Sequence, residues 1–189
     1  RDMIGLNAAT GIDILRAMLP QHLDADAFKN EWLDVYQELL AGDVLTKTGA
    51  HTFLARLHEL NVPRAVATSS SGAKARRLLQ KTGLMQFIQH VTGGDEVNAG
   101  KPAPDVYIDA AKKLGIAPKH CLAFEDSNNG TTAALAAGMW VIQIPDLAPS
   151  NRLPNPPDFN ICSSLREAAS LIGLSLDDHL ETQTNVEPL

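Results

Sequence analysis

Cysteine is scarce in this sequence, and long apolar runs are absent from it. The 189 residues include two cysteines, Cys121 and Cys162, and the first lies inside an apolar stretch. We therefore predict two buried thiols rather than a disulfide framework, which fits a reducing compartment. No run of about 18 apolar residues predicts a membrane-spanning helix, and residues 1–5 lack a signal-peptide layout. We expect a cytoplasmic protein.

Basic residues are also in deficit, with 16 Lys and Arg against 22 Asp and Glu and a formal net charge of −6. Nucleic acids and anionic membranes require a basic surface, so we predict neither as a partner. The composition is otherwise that of a globular domain, 44% hydrophobic and 5% aromatic. We expect a monomer that binds a small molecule.

Only helices are predicted before about Leu45. Thr10 is predicted to cap a helix over residues 11–19, which ends at Pro20. A second helix is predicted from Asp24 to Leu40, and its apolar residues recur at helical spacing as one stripe. The stripe consists of Phe28, Trp32, Val35, Tyr36 and Leu39. We predict that it packs as core.

Helices and short apolar strands alternate from Gly49 onward, which predicts βαβ units and hence an α/β fold with a parallel sheet. Strands are predicted over residues 64–68, 88–91, 121–124, 140–144 and, more weakly, 159–161. Helices are predicted over residues 51–60, 73–82, 104–114, 131–137 and 165–172, the last capped by Ser164. The polar tail after Leu174 is predicted to fray.

Ligands bind beyond the carboxyl ends of the strands in a parallel sheet, so the residues after each strand are the candidates for chemistry. The first such run is Thr68-Ser69-Ser70-Ser71-Gly72, whose hydroxyls and backbone amides can converge on an anion before a helix. The alternative is capping and turn formation, the more frequent use of such a run.

Two further strand ends carry charge. The first is a long loop in which Lys101 lies between a glycine and Pro102, so a restricted backbone can present its charge to a phosphate. The alternative is a solvated lysine in a rigid turn. The second is the adjacent pair Glu125 and Asp126, hard oxygen ligands of the kind that Mg²⁺ prefers. The alternative for this pair is to satisfy a helix dipole.

The hydroxyl run, the Lys101 loop and the acidic pair occur in this order on successive strands. Their order and wording resemble the haloacid dehalogenase superfamily, in particular the β-phosphoglucomutase-like phosphatases with a helical cap, over nearly the whole chain. The resemblance implies a Rossmann-like parallel sheet flanked by helices over residues 47–175. It also implies a partial helical cap domain over residues 1–46 and a flexible tail over residues 176–189.

Roles for individual residues follow from the resemblance. Thr68 matches the hydroxyl residue that binds the transferring phosphoryl group, and Lys101 matches the lysine that neutralises its charge, so both are predicted to be catalytic. Glu125 and Asp126 match the magnesium-binding acids. The predicted substrate-binding set is Thr68, Ser69, Ser70, Lys101 and Asn7.

The family's remaining motif, Asp-x-Asp-Gly-Thr or close to it, is missing. It follows the first strand and supplies the nucleophile, whereas Asp24-Ala25-Asp26 of this sequence precedes a helix and is interpreted as an N-cap. The family's first strand lies between the strands that end at Thr68 and Phe124. Without it two interior edges should be unpaired and the chain poorly stable. We expect the nucleophile to lie upstream of Arg1 and the chain as given to be inactive.

For the intact protein, the resemblance implies Mg²⁺-dependent hydrolysis of a small phosphomonoester, such as a sugar phosphate, through an aspartyl-phosphate. A β-phosphoglucomutase-like phosphotransferase is the alternative. Such mutases carry a cap arginine where this chain has Ala8, so a phosphatase is favoured. A third interpretation is a non-catalytic domain that binds a phosphorylated ligand or a partner protein.

Overall fold

The computed structural model describes residues 8–20, 22–152, 154–155 and 157–176. Seven α-helices lie in this part of the chain: α1 Ala8–Met18, α2 Ala25–Ala41, α3 Ala50–Glu59, α4 Gly72–Lys81, α5 Asp105–Leu114, α6 Asn128–Ala136 and α7 Leu165–Leu171. Five strands alternate with them from α3 onward: β1 Ala65–Ala67, β2 His90–Thr92, β3 Leu122–Glu125, β4 Trp140–Gln143 and β5 Phe159–Ile161. Short 3₁₀ turns cover Met85–Phe87 and Pro118–His120. The predicted α/β alternation is confirmed.

Side-chain caps fix where several helices begin. The Asp24 carboxylate accepts from the backbone of Asp26 and Ala27, which confirms its predicted role as the N-cap of α2. Ser164 caps α7 as predicted. Thr10 lies inside α1 rather than before it, so its predicted capping role is wrong. Helix α6 begins at Asn128, earlier than predicted, because the Ser127 hydroxyl accepts from the Gly130 amide and caps it.

The strands form two separate parallel sheets, of order β1-β2 and β3-β4-β5. Ala65 pairs with His90 in the first sheet, while Leu122 pairs with Trp140 and Val141 with Phe159 in the second. Within the part of the chain that the structure describes, β1 and β3 pair with each other in neither sheet. The unpaired interior edges are those that the sequence predicts.

Helices cover both faces of the strands. Ala67 of β1 and Ala123 of β3 pack into a cluster with Val106 of α5. Val66, the neighbour of Ala67, packs like Leu54 of α3 against a different cluster that includes Val91, as the alternation of a strand requires. The Phe124 ring also meets Phe53 of α3, edge to face at a centroid distance of 5.0 Å. The core therefore lies between α5 on one side and α3 on the other.

The apolar stripe of α2 is largely exposed, which corrects its prediction as core. Phe28, Trp32 and Val35 are 49%, 60% and 50% exposed. Helix α2 packs against α1, and two helices offer this stripe too little apolar surface to cover it. Tyr36 and Leu39 belong to α2, but their side chains lie outside the described part.

Both cysteines are free, with Cys162 buried as predicted and Cys121 only partly buried. None of the described helices combines the length and the apolar character needed to cross a membrane. Of the predicted tail, only Leu176 lies within the described residues. The assignment of residues 1–46 as a cap domain stays a prediction.

Candidate active site

Lys101 lies where the carboxyl ends of β1 and β3 approach each other. Its side chain is buried, at 7% exposure, and its Nζ forms an ion pair with Glu125 Oε1. Nζ also donates to the Ala67 carbonyl of β1 at 3.2 Å and to the Tyr107 hydroxyl at 3.3 Å. It lies 4.8 Å from the centroid of the Tyr107 ring. One ammonium group therefore joins the two sheets at the end where ligands bind.

The Glu125 carboxylate is held by donors on both of its oxygens. Oε1 accepts from Lys101 and from the Tyr107 hydroxyl. Oε2 accepts from the Ser127 hydroxyl at 3.2 Å and from the Ser127 amide at 3.5 Å. A side-chain carbon at Gly130 would overlap this carboxylate, so only glycine permits its position. A buried charge needs such partners, and here the partners also fix its orientation.

Contacts on both sides of Lys101 hold its loop in place. The Asp105 carboxylate accepts from the Ala99 amide at 3.2 Å and closes the loop onto the start of α5. Pro104 precedes α5, and the first turn of that helix presents Tyr107 to Lys101. The lysine is therefore no solvated side chain in a turn, the alternative weighed from the sequence.

Asp126, next to Glu125, presents an exposed carboxylate. The surrounding protein removes part of its hydration, which raises the pKa of Asp126 above its usual value. The negative charges of Glu125 and Asp146 raise this pKa further, and Lys101 opposes them. Glu125 pairs with Lys101 and Asp146 pairs with Lys47 at 3.5 Å, whereas none of the ion pairs among the described residues includes Asp126, whose charge favours a cation.

The run from Thr68 to Gly72 forms a turn that packs closely on the loop after β2. The Gly94 amide donates to the Ser70 carbonyl at 2.9 Å, and the Gly72 amide donates to the Asp95 carboxylate at 2.8 Å. A side-chain carbon at Gly94 would come within 2.6 Å of the Ser69 carbonyl oxygen. The two glycine positions thus allow the loops to meet and fix the turn beside β1.

Within this run, Ser71 takes the capping role that the sequence offered as the alternative. The Ser71 hydroxyl accepts from the Lys74 amide at 3.4 Å and caps α4, as the capping interpretation predicts. Thr68 lies one residue after Ala67, the partner of Lys101, and its hydroxyl accepts from the Ser70 amide at 3.2 Å. Thr68, Ser69 and Ser70 therefore lie at the same strand end as Lys101, while Asn7 lies outside the described residues. Binding of phosphate by these residues stays a prediction.

Tyr107 and Ser127 are members of the site that sequence reasoning did not assign. Burial raises the pKa of the Tyr107 hydroxyl well above its usual value, and the neighbouring Glu125 charge adds to this effect, so Tyr107 remains a donor. Tyr107 is one of two tyrosines in the chain and lies on the helix that directly follows the Lys101 loop. Its place directly after the Lys101 loop was the sequence feature that could have identified Tyr107 as a member of the site.

Of the two predicted magnesium ligands, Asp126 fits the metal better than Glu125 does. Mg²⁺ takes one or two carboxylates and fills its remaining positions with water and substrate oxygens. The open Asp126 carboxylate fits this use, whereas both oxygens of Glu125 are already bound to protein donors. Among the residues that the structure describes, no cluster of three His, Cys, Asp or Glu side chains could hold a metal. A metal here would therefore take further ligands from elsewhere.

Comparison with known proteins matches residues 7–138 to the family model of the haloacid dehalogenase-like hydrolases. The probable pseudouridine-5'-phosphatase of Drosophila melanogaster is 41% identical over 115 residues, which cover 58% of this chain and 50% of that protein. The chain spans about half the length of the curated relatives it matches.

Solved structures agree with this match. A haloacid dehalogenase hydrolase of Entamoeba histolytica is 28% identical with a TM-score of 0.69, covering 90% of this chain and 81% of that one. A variant of CbbY from Rhodobacter sphaeroides, in complex with xylulose-1,5-bisphosphate, is 27% identical with a TM-score of 0.68, covering 84% of this chain and 72% of that one.

Proposed function

Because this chain belongs to the haloacid dehalogenase-like hydrolases, we propose that it forms the phosphate-binding part of a Mg²⁺-dependent phosphomonoester hydrolase. The observation that carries the proposal is the position of Lys101, buried between Glu125 and the Ala67 carbonyl at the carboxyl ends of two strands. A solvated lysine on the surface would need neither a carboxylate nor a carbonyl partner. The substrate is a small phosphorylated metabolite, in keeping with relatives named as phosphatases of such compounds.

Lys101 binds a phosphoryl oxygen and offsets the charge that develops on it during transfer. Glu125 positions the ammonium group, and Tyr107 and Ser127 position Glu125 in turn. Thr68 binds the same phosphoryl group through its hydroxyl. The turn after Thr68 adds the amides and hydroxyls of Ser69 and Ser70, and Asn7 contributes to substrate binding.

Asp126 holds Mg²⁺, with Glu125 as the second predicted ligand. The metal supplies positive charge to the phosphoryl oxygens. Burial is the main cause of the raised pKa of Asp126, and a bound cation would offset the further rise that the charges of Glu125 and Asp146 produce.

The attacking group is an aspartate supplied from outside residues 1–189. Its carboxylate oxygen forms a bond to phosphorus while the ester P–O bond breaks, and the alcohol leaves with a proton from the second aspartate of the same motif, which recovers one from the hydrolytic water. Water then hydrolyses the acyl phosphate, which releases phosphate and the free carboxylate. The chain as given is predicted to be inactive because it offers Asp24-Ala25-Asp26, the N-cap of α2, as its one Asp-x-Asp.

The test begins with the intact mass of the purified protein, compared with 20.3 kDa for residues 1–189. Hydrolysis of p-nitrophenyl phosphate and of a panel of sugar and nucleoside monophosphates is then measured with Mg²⁺ and with EDTA. In a longer polypeptide we expect turnover that requires Mg²⁺ and is lost in Lys101→Met and Asp126→Asn. The matched control is Lys112→Met, which removes an exposed lysine of α5.

Two outcomes would overturn the proposal. Turnover by the 20.3 kDa chain alone would refute the external nucleophile. A longer polypeptide with an Asp-x-Asp after an upstream strand, but without turnover of any ester, would favour the non-catalytic binding domain. The mutase alternative predicts instead that a sugar monophosphate is isomerised and that no free phosphate is released.

A further inference from the structure

A polar pocket of about 570 Å³ lies beyond the carboxyl ends of β4 and β5. This volume is in the range of about 300–1,000 Å³ that sites of small molecules occupy. Its three walls are the segment between α2 and α3, the loop after β4 and the start of α7. The polar residues that line it are Thr46, Lys47, Thr48, Asp146, Ser163 and Ser164. The pocket thus presents hydroxyl groups around one lysine and one aspartate.

Contacts outside the pocket hold two of its walls. The Asn128 side chain accepts from the Asn151 amide at 3.0 Å, which fastens the loop that carries Asp146 to the start of α6. The Glu167 carboxylate accepts from the amide of Ser163 at 2.7 Å and from its hydroxyl at 2.6 Å. These walls are therefore formed by the fold itself, so a ligand does not have to order them.

Lys47 and Asp146 form an ion pair between the first wall and the second, at 3.5 Å. Charge-assisted hydrogen bonds are shorter, about 2.7–2.9 Å, and the two side chains are 39% and 61% exposed, so both can accept a further partner. An ammonium group only donates and a carboxylate only accepts, whereas a hydroxyl does both. A ligand hydroxyl can therefore bond to Lys47 and to Asp146 at once.

The serines of the third wall offer complementary hydrogen bonds. The Ser163 hydroxyl donates to Glu167, so its oxygen can accept from a ligand. The Ser164 oxygen accepts from the Glu167 amide at 3.1 Å, so its hydroxyl proton can be donated. Donors and acceptors thus occur side by side, which matches a ligand with several neighbouring hydroxyl groups.

A second anionic group of a ligand would fit this pocket less well. Lys47 is the one cation among the described residues that line it, and Asp146 already offsets that charge. The hydrogen bonds from Ser163 lower the pKa of Glu167, so this carboxylate next to the pocket stays charged. The surroundings therefore favour a neutral group over a phosphate.

The pocket adjoins the candidate active site. Glu125 pairs with Gln143 and Gln143 with Ile161, so β3, β4 and β5 end at one level. With neighbouring strands about 4.8 Å apart, the ends of β3 and β5 are separated by about 10 Å. After burial and the charge of Glu125, the charge of Asp146 also raises the pKa of Asp126, in agreement with this proximity. A small sugar phosphate can span from one site to the other.

We propose that this pocket binds the uncharged, hydroxyl-rich part of the substrate, the alcohol that leaves when the phosphoester is cleaved. The substrate class is then the monophosphate of a polyol or sugar, and neither a bisphosphate nor the phosphate of an apolar alcohol. Lys47 and Asp146 bind hydroxyl groups of the leaving alcohol, and Thr48 and Ser164 bind further ones. The leaving-group role rests on the proposed function, whereas the binding of a polyol does not.

The first test is a titration of the full chain with ribitol, followed by NMR. We expect saturable shifts of the backbone amides of Thr48, Asp146 and Ser163, one in each wall. Pentanol, which keeps the carbon chain but has a single hydroxyl, should leave them unchanged. Lys47→Met should weaken ribitol binding about tenfold, because a hydrogen bond to a charged group is lost. Lys112→Met, on α5, is the matched control and should bind ribitol like wild type.

Three results of this titration would overturn the proposal. Shifts with pentanol as large as those with ribitol would mean that the pocket selects carbon chains and not hydroxyl groups. Saturation by inorganic phosphate at a lower concentration than by ribitol would identify an anion site. The third is the absence of saturable shifts with ribitol.

Turnover by a longer polypeptide tests the leaving-group role. The ratio of kcat/KM for ribitol phosphate to kcat/KM for p-nitrophenyl phosphate should fall about tenfold in Lys47→Met. It should fall about threefold in Thr48→Val, which keeps the shape of the side chain but removes its hydroxyl. Lys112→Met should keep the wild-type ratio. The same ratio in all three variants would overturn this role.

Failure of the proposed function is a separate result. If ribitol binds but no ester is hydrolysed, the pocket stands as a polyol site and the hydrolase proposal fails. If esters are hydrolysed while ribitol causes no shift and the ratio is constant, the hydrolase proposal stands and the pocket proposal fails.

Discussion

Replacement of Lys101 by methionine should destabilise the chain by about 3 kcal/mol. The substitution keeps an apolar stem of similar length but leaves the Glu125 carboxylate, 5% exposed, without its cationic partner. Breaking a buried ion pair from one side costs about 3–5 kcal/mol, because one charge stays buried and uncompensated. Tyr107 and Ser127 still donate to Glu125, so the lower end of that range applies.

Urea unfolding followed by circular dichroism measures this cost. With a slope of about 2 kcal/mol per molar urea, the midpoint should fall by about 1.5 M. The matched control is Lys113→Met on α5, the helix that follows the Lys101 loop. Lys113 pairs with Glu96 and Asp109 with its side chain 33% exposed. Pairs of that kind contribute about 0–1 kcal/mol, so its midpoint should fall by less than about 0.5 M.

The double variant Lys101→Met with Glu125→Gln tests the cause. It removes both charges and leaves an amide that still accepts from Tyr107, so most of the lost stability should return. A coupling of about 2 kcal/mol is expected in the double-mutant cycle. The reasoning is refuted if Lys101→Met costs no more than Lys113→Met, or if the costs of the two single substitutions simply add.

Three further predictions concern Gly130, Lys113 and Asp126. Gly130→Ala should destabilise the chain by about 1 kcal/mol in urea, because overlap with Glu125 outweighs the helix propensity gained; a stabilised variant would contradict the close approach. Lys113 lowers the pKa of Glu96 and Asp109 in the folded protein. The stability that these ion pairs add is therefore fully present above about pH 4, the pKa of the unfolded carboxyls, and is lost as the pH falls through the lower folded pKa values. Urea midpoints of Lys113→Met and wild type should therefore converge near about pH 3, and a constant difference would exclude this linkage. The folded pKa of Asp126 is raised, mainly by burial, so its ionisation begins to cost stability as the pH rises above the unfolded value of about 4 and costs most above the folded value. In EDTA at neutral pH, Asp126→Asn should thus melt higher than wild type, and it should lose the rise in Tm that Mg²⁺ produces; an unchanged response to Mg²⁺ would remove Asp126 as a ligand.

The α/β alternation could be predicted from the sequence because the signals are local. A short apolar run such as that before Thr68, a capping serine such as Ser164 and a loop rich in proline around Lys101 each specify their own element. The strand ends then follow from parallel topology, which brought Lys101 and the Glu125 end of β3 into one predicted site. The ion pair observed between them agrees with that prediction.

Other features depend on contacts between distant residues. Nothing local in the sequence specifies that Tyr107 reaches Glu125, 18 residues away, or that the Gly130 position must lack a side chain to make room for that carboxylate. The same limit explains why the apolar stripe of α2 was wrongly predicted to be core. Helical spacing identifies the apolar face of a helix but does not show whether another element covers it. Thr10 failed as a cap because a threonine can also lie inside a helix, and α1 already includes Ala8 and Ala9.

The position of Lys101 makes the integrity of the site inseparable from that of the core. Its ammonium group is bound to the last residue of β1 and to the last residue of β3, which belong to separate sheets. Any separation of the sheets therefore also pulls the phosphate-binding lysine away from one of its partners.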